Sequence, residues 1–385
     1  MTTLALVVNE PPPYRIPVFN RVAAHPGLRL HVIFCCRREP NREWDLPAIA
    51  FEHQFLRERI STVHGRYIHN NPDVLLALSR LRPDLVIGNG FNPTHLYAMA
   101  WCIAHRCPYV PMTDGTLQSE RGLGPAHRRL RRWTYGRARA LIAASQGGLA
   151  LYHSYGVPRS ACFLSCLCVA NERFRPTVPD GPRPWDFVFC GRLEAGKRPA
   201  FALEVAQQVA RRLQRKTRIL FVGSGSLGGM LRAQAANCAS EVETGFHGFA
   251  SQAELPQLYR SAKLFLFPTE ADVWGVVANE ACAAGLPVIV SPHAGVAGEL
   301  VVDGRNGFVR TLDVDAWADA AAHLLSNEHR RRGHAERSLL MVESYRFDAA
   351  AAGIIEACAA ATADAGSTTA PEPVTRLSGD QSGNR

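Results

Sequence analysis

Short apolar runs recur along the chain and alternate with stretches of helical period. LALVV (4–8), LHVIF (30–34), DLVIG (84–88) and ALIAAS (140–145) fall in the first half, and DFVFCG (186–191), ILFVG (219–223), LFLFP (264–268) and PVIVS (287–291) in the second. Such runs predict strands buried on both faces. The helices between them predict parallel sheets covered on each side, a doubly wound α/β architecture. Between the two sets lies RFRPTVPDGPRPW (173–185), where four prolines and a glycine break every period, as an interdomain linker does. The pattern places a first domain at 1–172, a linker at 173–184 and a second domain at 185–343. A helix at 344–361 is expected to pack back on the first domain, and the polar residues 362–385, rich in Gly, Ser, Pro and Thr, predict a disordered tail.

The chain has 385 residues, 47% of them hydrophobic and 20% charged, enough for two domains that each bury a core. Its formal charge of +9 favours acidic partners such as nucleotides, phosphorylated lipids or an anionic membrane face. The eleven cysteines form no repeating framework, and the tightest group, Cys162, Cys166 and Cys168, lacks the paired C-x-x-C spacing of a zinc site. Thiols used as small core residues imply a reducing cytoplasm. The N-terminal MTTLALVVNEPPPY has no basic lead and too short an apolar run for a signal peptide, and no stretch approaches the ~18 apolar residues of a membrane span. A cytoplasmic protein is expected.

Two stretches carry the chemistry. In TEADVWGVVANEACAAGLPVIVS (269–291), a strand, a loop, a helix and a second strand follow one another. The loop delivers Asp272 to the carboxyl edge of the sheet. The helix start at Trp274, Gly275 and Val276 offers backbone N–H groups and a positive dipole end suited to phosphate. Glu280 lies further along the same helix among Ala278, Ala281, Cys282 and Ala283, so its carboxylate requires strong donors, for which a ribose diol is one candidate. Asp272 also reads as a helix N-cap and Glu280 as an exposed helix residue, and both alternatives stay open.

The second stretch is FVFCGRLEAGKRP (187–199), a buried strand and glycine turn followed by Arg192 and Lys197. Two cations in a loop at a strand's end can converge on a diphosphate, Arg by bidentate hydrogen bonds and Lys as a point charge, and a solvated basic loop is the alternative. Gly223, Gly225 and Gly228 match G-x-G-x-x-G, with Glu243 about 20 residues on, but the match follows the domain's second strand and is weak for a dinucleotide site. Asp313 and Asp315 form a D-x-D that is better read as the cap of the helix after it.

These residues resemble the retaining, nucleotide-sugar-dependent glycosyltransferases of family four, group 1, whose two-domain fold is called GT-B. The resemblance rests on GRLEAGK, VGSGS, FHGFAS, LPQLYRSAKLFLFPT, the spacing of Asp272 and Glu280, EACAAGLPVIVS, GVAGELV and NGFV, in the family's order over most of the second domain. It implies that Arg192 and Lys197 hold the diphosphate of a UDP- or GDP-linked sugar. It further implies that Glu280 holds the ribose, that Asp272 and the amides beside it hold sugar hydroxyls, and that Gly248 and Phe249 frame the base. Relatives usually carry Glu where Asp272 stands, and Glu270 is the alternative for that contact. No metal or other cofactor is implied.

The first domain matches more loosely. Its NEPPPYRIPVFN and VPMTDGT stand where relatives have a glycine-rich loop and a histidine. Asp114 takes the histidine's place, as a catalytic group that orients the acceptor or as a strand-end turn former, and Tyr14 and Arg15 are acceptor-side candidates. Glu120 to Ala140 carries seven arginines with Trp133 and Tyr135 among them, suited to an anionic membrane surface or simply to a solvated face. No nucleic-acid-binding module accompanies the charge. The expected activity is transfer of a sugar, with retention, to a glycan or glycolipid in surface polysaccharide or lipopolysaccharide assembly. A nucleotide-sugar epimerase of the same fold and a non-catalytic nucleotide-binding partner are the alternatives.

Overall fold

The computed structural model describes residues 1–40, 45–63, 66–177 and 181–363. Among the described residues nine strands belong to the first half: β1 Thr2–Val8, β2 Leu28–Phe34, β3 Glu52–Phe55, β4 Ile60–Val63, β5 Arg66–His69, β6 Leu85–Asn89, β7 Tyr109–Thr113, β8 Leu141–Ala143 and β9 Cys162–Leu164. Six follow: β10 Trp185–Cys190, β11 Thr217–Val222, β12 Val242–Gly248, β13 Ala262–Phe267, β14 Val288–Val290 and β15 Gly307–Val309. They form two open parallel sheets, in the order β3-β2-β1-β6-β7-β8-β9 and β12-β11-β10-β13-β14-β15, with β4 and β5 as a separate antiparallel pair. The α/β class expected from the pattern is therefore the observed one.

Each central strand buries both faces, which is why it reads as an unbroken apolar run. In the second sheet Phe187, Phe189, Ile219 and Phe221 point to one core, where they meet Phe201, Val205 and Val209 of helix Pro199–Leu213 and Trp317 of helix Val314–Leu325. The alternate residues Val188, Leu220, Phe265 and Phe267 point to the other, against Ala278, Ala281 and Cys282 of helix Val276–Ala283. That second core also takes in Ala144, Leu167, Val169 and Phe174, so it runs on into the segment joining the halves.

Helix Phe347–Thr362 lies on the first sheet, with Ala350, Ile354, Ala357 and Ala361 in one cluster with Leu4, Leu6 and Ile142. Its Gly353 permits that approach, since a Cβ there would stand 1.9 Å from the Leu164 carbonyl oxygen. Residues 178–180 of the linker and 364–385 of the expected tail lie outside the described residues. The eleven cysteines are free thiols and most are buried. Among the described residues no helix is long and apolar enough to cross a membrane.

Candidate active site

The carboxyl edge of the second sheet is built from laced loops. After β10 the chain turns at Gly191, and Leu193 donates its N–H to Ser224 O at 2.8 Å while Leu227 donates to Leu193 O at 2.9 Å. A Cβ on Gly223 would lie 2.0 Å from Gly191 O, and one on Gly225 would lie 2.5 Å from Leu193 O, so both glycines serve the packing of one loop on the other. Glu194 locks the pair by accepting the Ser226 N–H at 3.0 Å and its hydroxyl at 2.7 Å. Arg192 stands exposed on this loop and makes no ion pair among the described residues.

Lys197 ends the short turn Ala195–Lys197 and reaches the loop after β13, donating to Asp272 Oδ2 at 2.6 Å and to Thr269 Oγ1 at 3.4 Å. Both ionic partners are about a quarter exposed, at 22% and 23%. Glu270 instead pairs with Arg198, 2.8 Å away, which turns it from the Lys197 side. Helix Val276–Ala283 starts at the last of the three expected positions. Its N-cap is Gly275 at φ 105°, where a Cβ would meet the Phe267 ring at 2.3 Å, and no Asp272 side-chain cap of the helix is made.

This revises the part expected of Trp274. Its N–H is taken by Asp272 Oδ1 at 3.2 Å, and its buried indole donates to Asn279 Oδ1 at 2.7 Å, leaving no free donor there. Of the three amides expected there, those of Gly275 and Val276 have no hydrogen-bond partner among the described residues and stay open.

Glu280 is 6% exposed, and the strong donor its burial demands is the Tyr259 hydroxyl, at 2.8 Å from Oε2. Burial pushes the Glu280 carboxyl up to about 7 despite that bond. Gly248, at φ 82°, accepts the Gly223 N–H at 2.7 Å, and Phe249 beside it is half exposed. Arg192, Lys197, Asp272, Glu280 and the Gly248–Phe249 turn thus share one sheet edge.

Across from it lies the edge of the first sheet. Asp114 follows β7 and accepts from Arg15 at 2.9 Å. Arg15 is 1% exposed and also donates to Ser165 O at 2.9 Å, Ser165 Oγ at 3.0 Å and Cys166 O at 3.4 Å. The acceptor-side expectation for Arg15 is corrected accordingly: its guanidinium is enclosed, and only Asp114, 26% exposed, carries its influence outward. Tyr14 packs against the second domain's core. The two edges touch where Gln118 Nε2 and His293 Nδ1 lie 3.2 Å apart, and the carbonyl of the same His293 accepts the Asp272 N–H at 3.2 Å.

The arginine-rich stretch forms helix Pro125–Tyr135. Its Tyr135 is buried against Tyr152 and Tyr155, so only Trp133 of the two expected aromatics is exposed, beneath the Arg137 guanidinium at 4.3 Å. Arg131 is held by Glu120 at 2.8 Å, whereas Arg128, Arg129 and Arg132 face solvent. Asp313 caps its helix through the Ala316 N–H at 2.8 Å. Among the described residues no three His, Cys, Asp or Glu side chains form a metal-binding group. Tyr259, His293 and Gln118 had no signal in the sequence, because their partners lie 21 to 175 residues away.

Comparison with known proteins agrees with this geometry. The family described as "Glycosyl transferases group 1" matches residues 171–339, and that described as "Glycosyltransferase Family 4" matches residues 21–164. The two halves of the chain are thus similar to group 1 and family 4 glycosyltransferases, each match spanning less than half of the chain. A D-inositol 3-phosphate glycosyltransferase of Nocardia farcinica is 31% identical over 180 residues, 45% of this chain and 40% of that protein. The chain spans about two fifths of the length of the curated relatives it matches.

Among solved structures, HepE of Anabaena in complex with UDP and glucose superimposes with a TM-score of 0.70 at 15% identity, covering 93% of this chain and 100% of that one. WaaG, a glycosyltransferase involved in lipopolysaccharide biosynthesis, gives 0.63 at 18%, covering 91% and 99%. At these identities the likeness establishes the fold, which is GT-B.

Proposed function

We propose that this protein moves a sugar from a nucleoside-diphosphate sugar to a glycan or lipid-linked acceptor, with retention of anomeric configuration. The observation that carries the proposal is the convergence of Lys197, Asp272, the open Gly275 and Val276 N–H groups and the buried Glu280 on one sheet edge that meets the Asp114 side of the other domain. Arg192 and Lys197 hold the diphosphate, and Glu280 accepts from the ribose hydroxyls. Phe249 lies against the base, and Asp272 with the two amides holds the sugar and its phosphate. UDP is the first donor nucleotide to test, since HepE is described with UDP and glucose.

Departure of the diphosphate breaks the bond from the sugar's anomeric carbon to phosphate oxygen and leaves an oxocarbenium-like sugar. Positioned cations and helix N–H groups stabilise the departing charge without a divalent ion. The acceptor hydroxyl attacks from the same face, its oxygen bonds to the anomeric carbon, and its proton passes to a phosphate oxygen. Asp114 orients that hydroxyl, itself held by Arg15. Surface polysaccharide or lipopolysaccharide assembly in the cytoplasm fits the WaaG likeness and the exposed arginines 128, 129 and 132, which suit an anionic bilayer.

A thermal-shift panel of UDP, GDP, ADP and their sugars is the test, because a ligand that binds only the folded state raises its stability by mass action. One nucleotide is expected to raise Tm, and its sugar to be consumed when acceptor is added. No response to any nucleotide would sink the reading.

A further inference from the structure

Glu299 belongs to the second domain, yet its carboxylate serves the first. Oε2 accepts the N–H of Gln146 at 2.9 Å, across 153 residues of sequence, and the Gly147 N–H also donates to this carboxylate. Gln146 and Gly147 open helix Gln146–Ser154, whose own N-cap, Ser145, satisfies only the Gly148 N–H at 3.0 Å. Two of the helix's free donors are thus filled by a carboxylate from the other domain, at the end of the helix where negative charge is most favourable. Oε1 takes the Tyr345 hydroxyl at 3.4 Å, and the Tyr345 ring packs on that of Trp274, centroid to centroid 5.3 Å.

The segment that carries Glu299 is also fastened to the loop that carries Asp272. Gly295 donates to Asp272 O at 3.0 Å, Val296 donates to Trp274 O at 3.1 Å, and Asp272 donates to His293 O at 3.2 Å. The approach is close enough that a Cβ on Gly295 would stand 2.0 Å from Val273 O. Residues 293 to 299 therefore form one rigid strip, hydrogen-bonded to the Asp272 loop along one side and to the first domain at both His293 and Glu299.

We propose that Glu299 is an interdomain latch: a positioning residue that fixes the angle between the domains and ties it to the loop holding Asp272. The proposal rests on the donor-site reading above for its effect on transfer, but not for the latch itself. A nucleotide bound at Asp272 and the Val276 helix start would stiffen the strip and with it the closed cleft, whereas loss of the Glu299 carboxylate would free the first domain while leaving the nucleotide seat intact.

The test uses the full chain and three variants, Glu299→Ala, Glu299→Gln and Gln146→Pro. The last removes one latch donor at the first helical position, where proline is well tolerated, after a Ser145 already extended at φ −158° and ψ 167°. Hydrogen exchange should show the Gln146 and Gly147 amides of Glu299→Ala exchanging about tenfold faster or more, with the amides of β10 and β11 unchanged. Small-angle scattering should show a larger radius of gyration in Glu299→Ala and in Gln146→Pro, with Glu299→Gln between them and the wild type. UDP affinity should stay within about threefold while the acceptor KM rises, the split expected of a positioning residue. Unchanged exchange at Gly147 together with an unchanged radius would overturn the latch. Should Glu299→Ala not fold, Gln146→Pro carries the radius of gyration and the exchange of the Gly147 amide. Absence of any transfer by the wild type would count against the glycosyltransferase reading alone, because exchange and scattering need no substrate.

Discussion

Lys197 donates to Asp272 at 2.6 Å across 75 residues of sequence, so the cation assigned to the diphosphate is already held by the acid assigned to the sugar. Binding of a diphosphate must compete with that carboxylate for one ammonium, which makes the two residues' mutational effects unequal.

Lys197→Ala should weaken UDP binding by about 10- to 100-fold, the loss of one charge-assisted contact of about 1.5–3 kcal/mol. Asp272→Asn should leave UDP affinity within about threefold or tighten it, because the ammonium is released, yet depress transfer strongly. Isothermal titration with UDP beside a transfer assay separates the two. Equal loss of nucleotide affinity in both variants would show that Asp272 does not act on the sugar side.

Glu280 makes stability depend on pH. Its carboxyl is raised from 4.5 to about 7 in the fold, so the native state holds this proton more tightly than the unfolded chain. The stabilisation is complete below about pH 4.5, declines as pH rises towards about 7 and is absent above it, about 3 kcal/mol in all. Urea unfolding of wild type against Glu280→Gln should show the wild type losing ground between pH 5 and pH 8. Ribose hydroxyls donating to this carboxylate favour its ionised form, so UDP affinity should rise with pH in the wild type and stay flat in the variant.

Gly223→Ala should destabilise by about 2 kcal/mol or more, since the residue sits at φ 134° with the Gly191 carbonyl 2.0 Å from any Cβ. Urea titration should show a lower midpoint. UDP affinity should fall with it, because the loop that must move aside carries Arg192.

Arg15→Ala should cost about 1–3 kcal/mol, because the buried Ser165 and Cys166 acceptors lose their donor while Asp114, a quarter exposed, regains water. Arg15→Lys should recover only part, since one ammonium cannot span Asp114, Ser165 and the Cys166 carbonyl as the planar fork does. Thermal unfolding of the two variants gives the order.

The eight apolar runs became strands β1, β2, β6, β8, β10, β11, β13 and β14, because a strand buried on both faces writes its position into every residue. The edge strands β3 and β15 are short and half-covered; EHQF carries no apolar run to mark it. Composition and spacing likewise pointed to Arg192, Lys197 and Asp272 in loops at strand ends and to Glu280 within the helix that follows, since local backbone geometry decides which residues reach a sheet's edge.

What each of those side chains touches was decided only by tertiary structure. Glycines 223 and 225 looked like a weak cofactor motif and proved to be where one loop lies on another. Trp274 looked like an open helix start and is buried, and Arg15 looked like a surface cation and is enclosed by Ser165, Cys166 and Asp114. Periodicity is a property of neighbours along the chain, so the sequence alone determined the two layered sheets and the ends from which chemistry projects. Hydrogen-bond partners such as Tyr259 for Glu280, or Gln146 for Glu299, are brought together by packing across many residues, and no local pattern encodes them.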